Sequence, residues 1–284
     1  MEQKKVRIII AAHKPCAVPA DPMYLPLHVG AEGKYGPDGS PLDLGFVKDN
    51  TGENISDLNP CFCELTGLYW AWKNLNDDYI GLVHYRRLFC GRKADKKDIP
   101  GSALSYAELA PLLEKYSVLV PKKRRYYIES LRSHYAHTLD GRHLDVCRDI
   151  VGRKFPEDLA AFDAVLSRSW GYMFNMMILR RDLLDDYCTW LFSILFELYR
   201  DLYNESMSEF EKRFCGRISE LLFNVWLERT LNSGRISKRE ICALNYTEDV
   251  DWGPKIRDFM AAKFMGKHYA SSSAPRNSRR INGS

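Results

Sequence analysis

The chain has 284 residues, 45% hydrophobic and 27% charged, an ordinary globular balance that excludes intrinsic disorder as a description of the whole. Its formal net charge of +4 is too small to imply a nucleic-acid partner. No apolar run reaches the roughly 18 residues of a membrane-spanning helix; the longest, around Trp190 to Leu198, contains Glu197.

Val6 to Ala12 is a β-branched, uninterrupted apolar run and predicts a buried parallel strand. It ends in His13-Lys14-Pro15. Ligands of open α/β sheets bind beyond the C-terminal ends of strands, so His13 and Lys14 are candidates for phosphate contact. Residues 19 to 59 are rich in Pro, Gly, Asp and Asn and read as one long functional loop. Asn59, with Pro60 behind it, reads as the N-cap of a helix from about Cys61 to Asn74. Tyr79 to Val83 predicts a second strand, ending in His84-Tyr85-Arg86-Arg87, and Ser117 to Val120 a third, ending in Lys122-Lys123-Arg124-Arg125. Residues 126 to 152 read as helical, Tyr172 to Leu179 as a fourth strand, and Arg181 to Tyr203 and Arg217 to Leu231 as helices. Residues 253–270 carry a basic, amphipathic helical pattern suited to a membrane surface or to the domain's own core. The basic segment 271–284 has a disordered composition. Strands alternating with helices predict an α/β fold with a mostly parallel sheet.

The eight cysteines contain no CxxC pair, which disfavours a zinc ribbon or redox motif. With no secretory signal at the N-terminus, the expected compartment is the cytoplasm. Neither GxGxxG nor GxxxxGK[ST] occurs, which disfavours a dinucleotide site and a P-loop.

Five constellations have the residue types for chemistry. Arg86 and Arg87 at a strand end suit diphosphate oxygens, and His84 suits acid–base work. Asn54 and Ser56 suit sugar hydroxyls or a base, and equally suit turn building. Glu64, amid apolar neighbours, reads as a ligand group or as an exposed acid at a helix start. His134, His137 and His143 with Asp140 and Asp145 contain metal-ligand types, acceptor contacts or a polar helix face. Glu220, opening a helix, reads as a general base or as an ordinary helix-start glutamate.

Several long stretches, in order, resemble the DUF4422 family: AAHKP (11–15), PLHVGA (26–31), DNTGENIS (49–56), NPCFCELTGLYWAWKN (59–74) and DYIGLVHYRRLF (78–89). So do SWGYMFNMMILRRDLLDDYCTWLF (169–192) and RISELLFNVWL (217–227). The resemblance implies a bacterial glycosyltransferase of capsule, exopolysaccharide or O-antigen assembly. It implies a single GT-A-like, Rossmann-like domain over residues 1–252. The implied donor is a nucleotide sugar, UDP-linked, with galactose or galactofuranose; the implied acceptor is an oligosaccharide or lipid-linked saccharide at the inner face of the plasma membrane. The donor contacts expected are His13, Lys14, Asn54, Ser56, Glu64, Tyr85, Arg86 and Arg87. The catalytic candidates are Glu220 and His84, and His137, Asp145 and Trp170 are the acceptor candidates. GT-A enzymes commonly hold Mn²⁺ or Mg²⁺ on an Asp-x-Asp motif, which is missing at the expected strand end; the expectation is that Arg86 and Arg87 take the metal's place. The other reading is a non-catalytic module binding carbohydrate or a partner of the assembly system, consistent with the 12% aromatic content.

Overall fold

A computed structural model describes residues 3–91, 95 and 98–248, within a compact unit Met1–Asp249; the expected helix 253–270 and tail 271–284 lie outside the described residues. In chain order the elements are β1 (Val6–Ala12), β2 (Tyr24–His28), β3 (Val47–Lys48), α1 (Asn59–Phe62), α2 (Leu65–Asn74), β4 (Tyr79–His84), β5 (Arg87–Phe89), α3 (Tyr106–Leu113), β6 (Val118–Pro121) and β7 (Arg124–Arg125). They continue with α4 (Leu131–Ala136), α5 (Arg142–Lys154), α6 (Leu159–Leu166), β8 (Trp170–Gly171), β9 (Met177–Arg180), α7 (Arg181–Leu202), α8 (Phe214–Asn232), β10 (Ile241–Leu244) and β11 (Tyr246–Glu248).

The main sheet runs β10-β6-β9-β4-β1-β2-β3. Along that path the strands are parallel except β9, which is antiparallel to both β4 and β6; off the path β5 pairs antiparallel with β4, and β11 antiparallel with β5. Side chains alternate between two cores. Ile9, Ala11, Ile80, Leu82, Val118, Val120, Met177 and Leu179 face the layer built from α2 and α5 to α8. Val6, Ile8, Ile10, Tyr79, Val83, Leu119 and Ile178 face Leu109 and Leu113 of α3. Both faces are covered, which is why β1 and β4 read as unbroken apolar runs. The mixed α/β architecture with its mostly parallel sheet is GT-A-like.

Three expected elements differ. The loop of residues 19 to 59 contains β2 and β3; Pro26 hides β2 from a sequence reading, and it is tolerated because β3 reaches only Leu27 and His28. The helix expected over Cys61 to Asn74 is broken at Cys63, whose φ is +53°. Asn59 is the first residue of α1 rather than its cap, and its amide instead donates to Cys63 O (2.7 Å) and Thr66 Oγ1 (3.1 Å) across the break. The strand expected from Tyr172 is interrupted: Phe174 (φ +74°) and Asn175 (φ +50°) turn the chain before β9 begins.

Asp49 organises the segment between β3 and α1. It is fully buried and accepts from Gly30 N (2.8 Å), Ala31 N (3.0 Å), Thr66 Oγ1 (2.6 Å) and Ser56 Oγ. Asp49→Ala strands these donors without water. It is expected to lower stability by about 3–5 kcal/mol, seen as a fall in the urea midpoint.

Candidate active site

The C-terminal edge of the sheet collects the chemistry. His13 and Lys14 follow β1, while Tyr85 and Arg86 form the two-residue turn that folds β4 back into β5. The Tyr85 ring lies at the centre of this group. His13 meets it edge-on at 5.1 Å, and Lys14 Nζ and the Arg86 guanidinium lie 5.4 and 5.1 Å from its centroid. The electron-rich ring face attracts cations and lets mutually repelling charges share one place.

Arg213, just ahead of α8, belongs to the same group. Partial burial, then Arg86, Lys14, Arg213 and His28, hold the His13 imidazole below its ordinary value. Arg213 Nε donates to Cys63 Sγ at 3.3 Å. Burial, with Glu64 beside it, pushes that thiol up to about 11, so it is neutral and lends the guanidinium no charge; Glu64 and Glu220 act on Arg213 from beyond ion-pair distance. Among the described residues no carboxylate is within ion-pair distance of Lys14, Arg86, Arg124 or Arg213. Surface arginines usually find a carboxylate, as Arg132, Arg148 and Arg153 do here. Unpaired clustering is a cost to the fold that a bound anion would offset.

The bend at Phe174 and Asn175 ties the other half of the site together. Phe174 N donates to Glu220 Oε2 (2.8 Å), and His84 Nε2 meets Phe174 O. A carbonyl can only accept, so that ring nitrogen carries the proton. Asn175, 2% exposed, donates to Glu64 Oε1 (2.7 Å) and Gly216 O (3.0 Å) and accepts from Ser219 Oγ (2.9 Å). Asn tolerates the left-handed conformation better than most residues. Arg217 Nη1 stands 3.6 Å from Glu220 Oε1, and His84 Nε2 stands 3.9 Å from Glu64 Oε1. The structure therefore brings His13, Lys14, His84, Tyr85 and Arg86 to one edge, with Glu64 and Glu220 beside it.

Other candidates fall elsewhere. Arg87 does not share a target with Arg86: it sits on the return strand, 4.3 Å from the centroid of the Phe174 ring. Ser56, 1% exposed, has its hydroxyl engaged by Asp49 and Glu32 N, and Asn54 folds onto Gly52 O and Ser56 N. Both serve the turn. Glu220 lies in the second turn of α8 rather than opening it, because the helix begins at Phe214. The expected histidine cluster is split. His134 and His137 share Glu129, His143 contacts the Tyr135 hydroxyl, Asp140 pairs with Arg142, and Asp145 pairs with Arg132. Trp170 lies on β8 under Lys123 Nζ, 3.6 Å from its centroid.

Sequence reasoning missed Asn175, Arg213 and Arg217; Arg124 belongs to the basic run Lys122–Arg125, which reads from the sequence as attraction to phosphates on a donor or a membrane, or as solvated surface. The asparagine inside YMFNMMIL was a readable signal, since Asn in an apolar run marks a left-handed turn. Among the described residues, Nδ1 of His28, 2% exposed at the end of β2, has no hydrogen-bond partner.

The residues at this edge do not fit a divalent ion. Mg²⁺ and Mn²⁺ want several oxygen ligands, and the edge offers mainly cations. Asp77 and Asp78 lie at the opposite end of β4, where Asp77 faces Arg7 and Asp78 accepts from Lys5 N (2.8 Å). Among the described residues no three His, Cys, Asp or Glu side chains are grouped as a metal site requires.

Comparison with known proteins bears on the fold and the family. A solved structure described as the apo WbbM bifunctional glycosyltransferase is 30% identical, with a TM-score of 0.76, over 87% of this chain. The match covers 46% of that protein's chain, so this chain spans under half its length. No curated protein matches the sequence. The sequence profile of DUF4422, a domain of unknown function, matches residues 7–232, which take in the sheet edge, the Phe174–Asn175 bend and α8, and the chain belongs to that family.

Proposed function

We propose that the chain is a glycosyltransferase: it moves a sugar from a nucleotide-sugar donor to an acceptor hydroxyl, with side-chain cations in place of a metal at the diphosphate. The observation that carries this reading is the group Lys14, Arg86 and Arg213 near Tyr85 and His13, none with an ion-pair partner among the described residues, at the C-terminal edge of a GT-A-like sheet. The bifunctional glycosyltransferase with the same architecture supports it.

In this reading the acceptor oxygen bonds to the anomeric carbon as the bond to the diphosphate oxygen breaks. The acceptor proton passes to Glu220. Lys14, Arg86 and Arg213 take up the charge on the leaving diphosphate, and His13 donates to it. Glu64 holds the sugar. His84, bonded to Phe174 O, positions the bend that carries Glu220's own hydrogen bond. Trp170 and His137 lie towards the acceptor. By family resemblance the donor is UDP-galactose or UDP-galactofuranose, and the acceptor is a lipid-linked saccharide of surface polysaccharide assembly.

Thermal stability against a panel of nucleotides and nucleotide sugars tests the reading. A donor at a hundred times its Kd adds about 2.7 kcal/mol. Stabilisation by a UDP-sugar that persists in EDTA is expected. Stabilisation that vanishes in EDTA and returns with Mn²⁺ would defeat the arginine assignment. Fast release of free sugar without acceptor would identify a hydrolase instead.

A pH prediction follows from His13. Its pKa is depressed in the free protein by burial and neighbouring cations. A bound diphosphate favours the imidazolium, so binding takes up a proton. Affinity for a nucleotide sugar, which has no phosphate titrating in this range, should rise as pH falls from about 8 to about 6. Calorimetry in two buffers of different ionisation heat measures the uptake, and His13→Gln should abolish it.

A further inference from the structure

The ribbon from Lys122 to Ile128 presents what the fold does not use. Tyr127 is 83% exposed and Ile128 71%, far beyond the next exposed large hydrophobics apart from Tyr35. Lys122, Lys123, Arg124 and Arg125 directly precede them, and all four are exposed. No acid interrupts the segment before Glu129, which is already engaged by His134 and His137.

The tip is held out rather than left loose. Ile128 N donates to Tyr126 O (2.6 Å), closing a three-residue turn with Tyr127 at φ +54°. On one side Tyr126 N donates to Ser169 O (2.7 Å), and β7 pairs with β8. On the other, Ser130 caps α4 by accepting from Ser133 N (3.1 Å), and Leu131 N donates to Arg168 O (2.7 Å). An aromatic and a β-branched side chain are thereby fixed in water beside a stripe of cations. The ribbon also borders the site. Arg124 lies 5.3 Å from the Tyr126 ring centroid and 5.6 Å from that of Phe174, and Tyr126 feels the charges of Glu220 and Arg217.

We infer that this ribbon docks the protein on an anionic lipid surface, with Tyr127 and Ile128 entering the headgroup layer and Lys122 and Arg125 meeting lipid phosphates. Tyrosine favours the boundary between water and hydrocarbon, and basic residues gain from a negative surface. The charge complementarity chooses lipid over an apolar protein groove. Docking here turns the sheet edge towards the bilayer, where a lipid-linked acceptor would present its sugar. The inference goes beyond the transfer reaction, because vesicle binding is measured without donor or acceptor.

Flotation of the full chain with vesicles tests it. One set is phosphatidylcholine alone; the other contains about a third phosphatidylglycerol. The unaltered protein should float with the anionic set and only weakly with the neutral one. Tyr127→Ser with Ile128→Ser should lower binding by about tenfold. Lys122→Gln with Arg125→Gln should lower it by about 30-fold at low salt. Both variants should keep the thermal shift given by the nucleotide sugar, which reports folding and the donor site. Unchanged vesicle binding by both variants would overturn the inference, as would an unaltered protein that ignores anionic vesicles. So would variants that bind vesicles normally but lose affinity for a soluble acceptor oligosaccharide, since the tip would then be a glycan contact.

Discussion

Replacing Glu220 by Gln is expected to lower turnover by about 10²–10⁴-fold while donor affinity changes little. Glu220 is only 8% exposed and is held by two groups: the N–H of Phe174 and the guanidinium of Arg217. Gln keeps the volume and can still accept from Phe174 N, so the bend and the donor pocket persist. What it lacks is the capacity to take a proton. Steady-state kinetics with the nucleotide-sugar thermal shift separates the outcomes. Near-normal turnover would remove Glu220 from the base role. A loss of both turnover and the thermal shift would show that the carboxylate supports the architecture instead. Arg217→Ala probes the other oxygen of the same carboxylate. It should reduce turnover less than the loss of Glu220, because the Phe174 N–H remains.

Removing Arg86 and Arg213 together, each as Ala, is expected to weaken donor binding by about 10²–10⁴-fold, from roughly 1.5–3 kcal/mol per hydrogen bond to a charged group. The free protein should change little. Neither cation has a carboxylate within ion-pair distance among the described residues, and both act on His13. Deleting them relieves repulsion around His13 but gives up the attraction of Glu64 and Glu220 for Arg213, so the unliganded double variant should melt close to the parent. A binding defect with unchanged or raised intrinsic stability distinguishes an anion site from a structural cluster. If the variant instead melts much lower and binds as before, the arginines belong to the fold. Calorimetric titration in EDTA also shows whether Mn²⁺ restores affinity, which the arginine assignment excludes.

The parts of the site carried by continuous strands were legible in the sequence. Val6–Ala12 and Tyr79–Val83 are buried on both faces, so their composition alone announces them, and the residues after them must lie at the sheet edge. That placed His13, Lys14, His84, Tyr85 and Arg86 before any coordinates. The family resemblance supplied the expectation of sugar transfer, which periodicity cannot provide.

Tertiary structure decided what depends on chain reversal and on contacts between distant segments. Arg86 and Arg87 are neighbours in sequence, yet the two-residue turn sends one to Tyr85 and the other to Phe174. Asn54 and Ser56 have the chemistry of sugar ligands, but Asp49 needs Ser56, and the turn uses Asn54. Asn175 joins Glu64 to Gly216 and Ser219 across segments 111, 41 and 44 residues away, which local pattern cannot convey. Legible from the chain alone were the α/β class, the two strand-end motifs and the family resemblance. Hydrophobic periodicity and strand composition are local properties of a chain that buries one face or two. Only the fold decided which polar groups face each other, because hydrogen bonds and charges act through space, and the same hydroxyl or guanidinium serves the core or a ligand according to what the packing brings beside it.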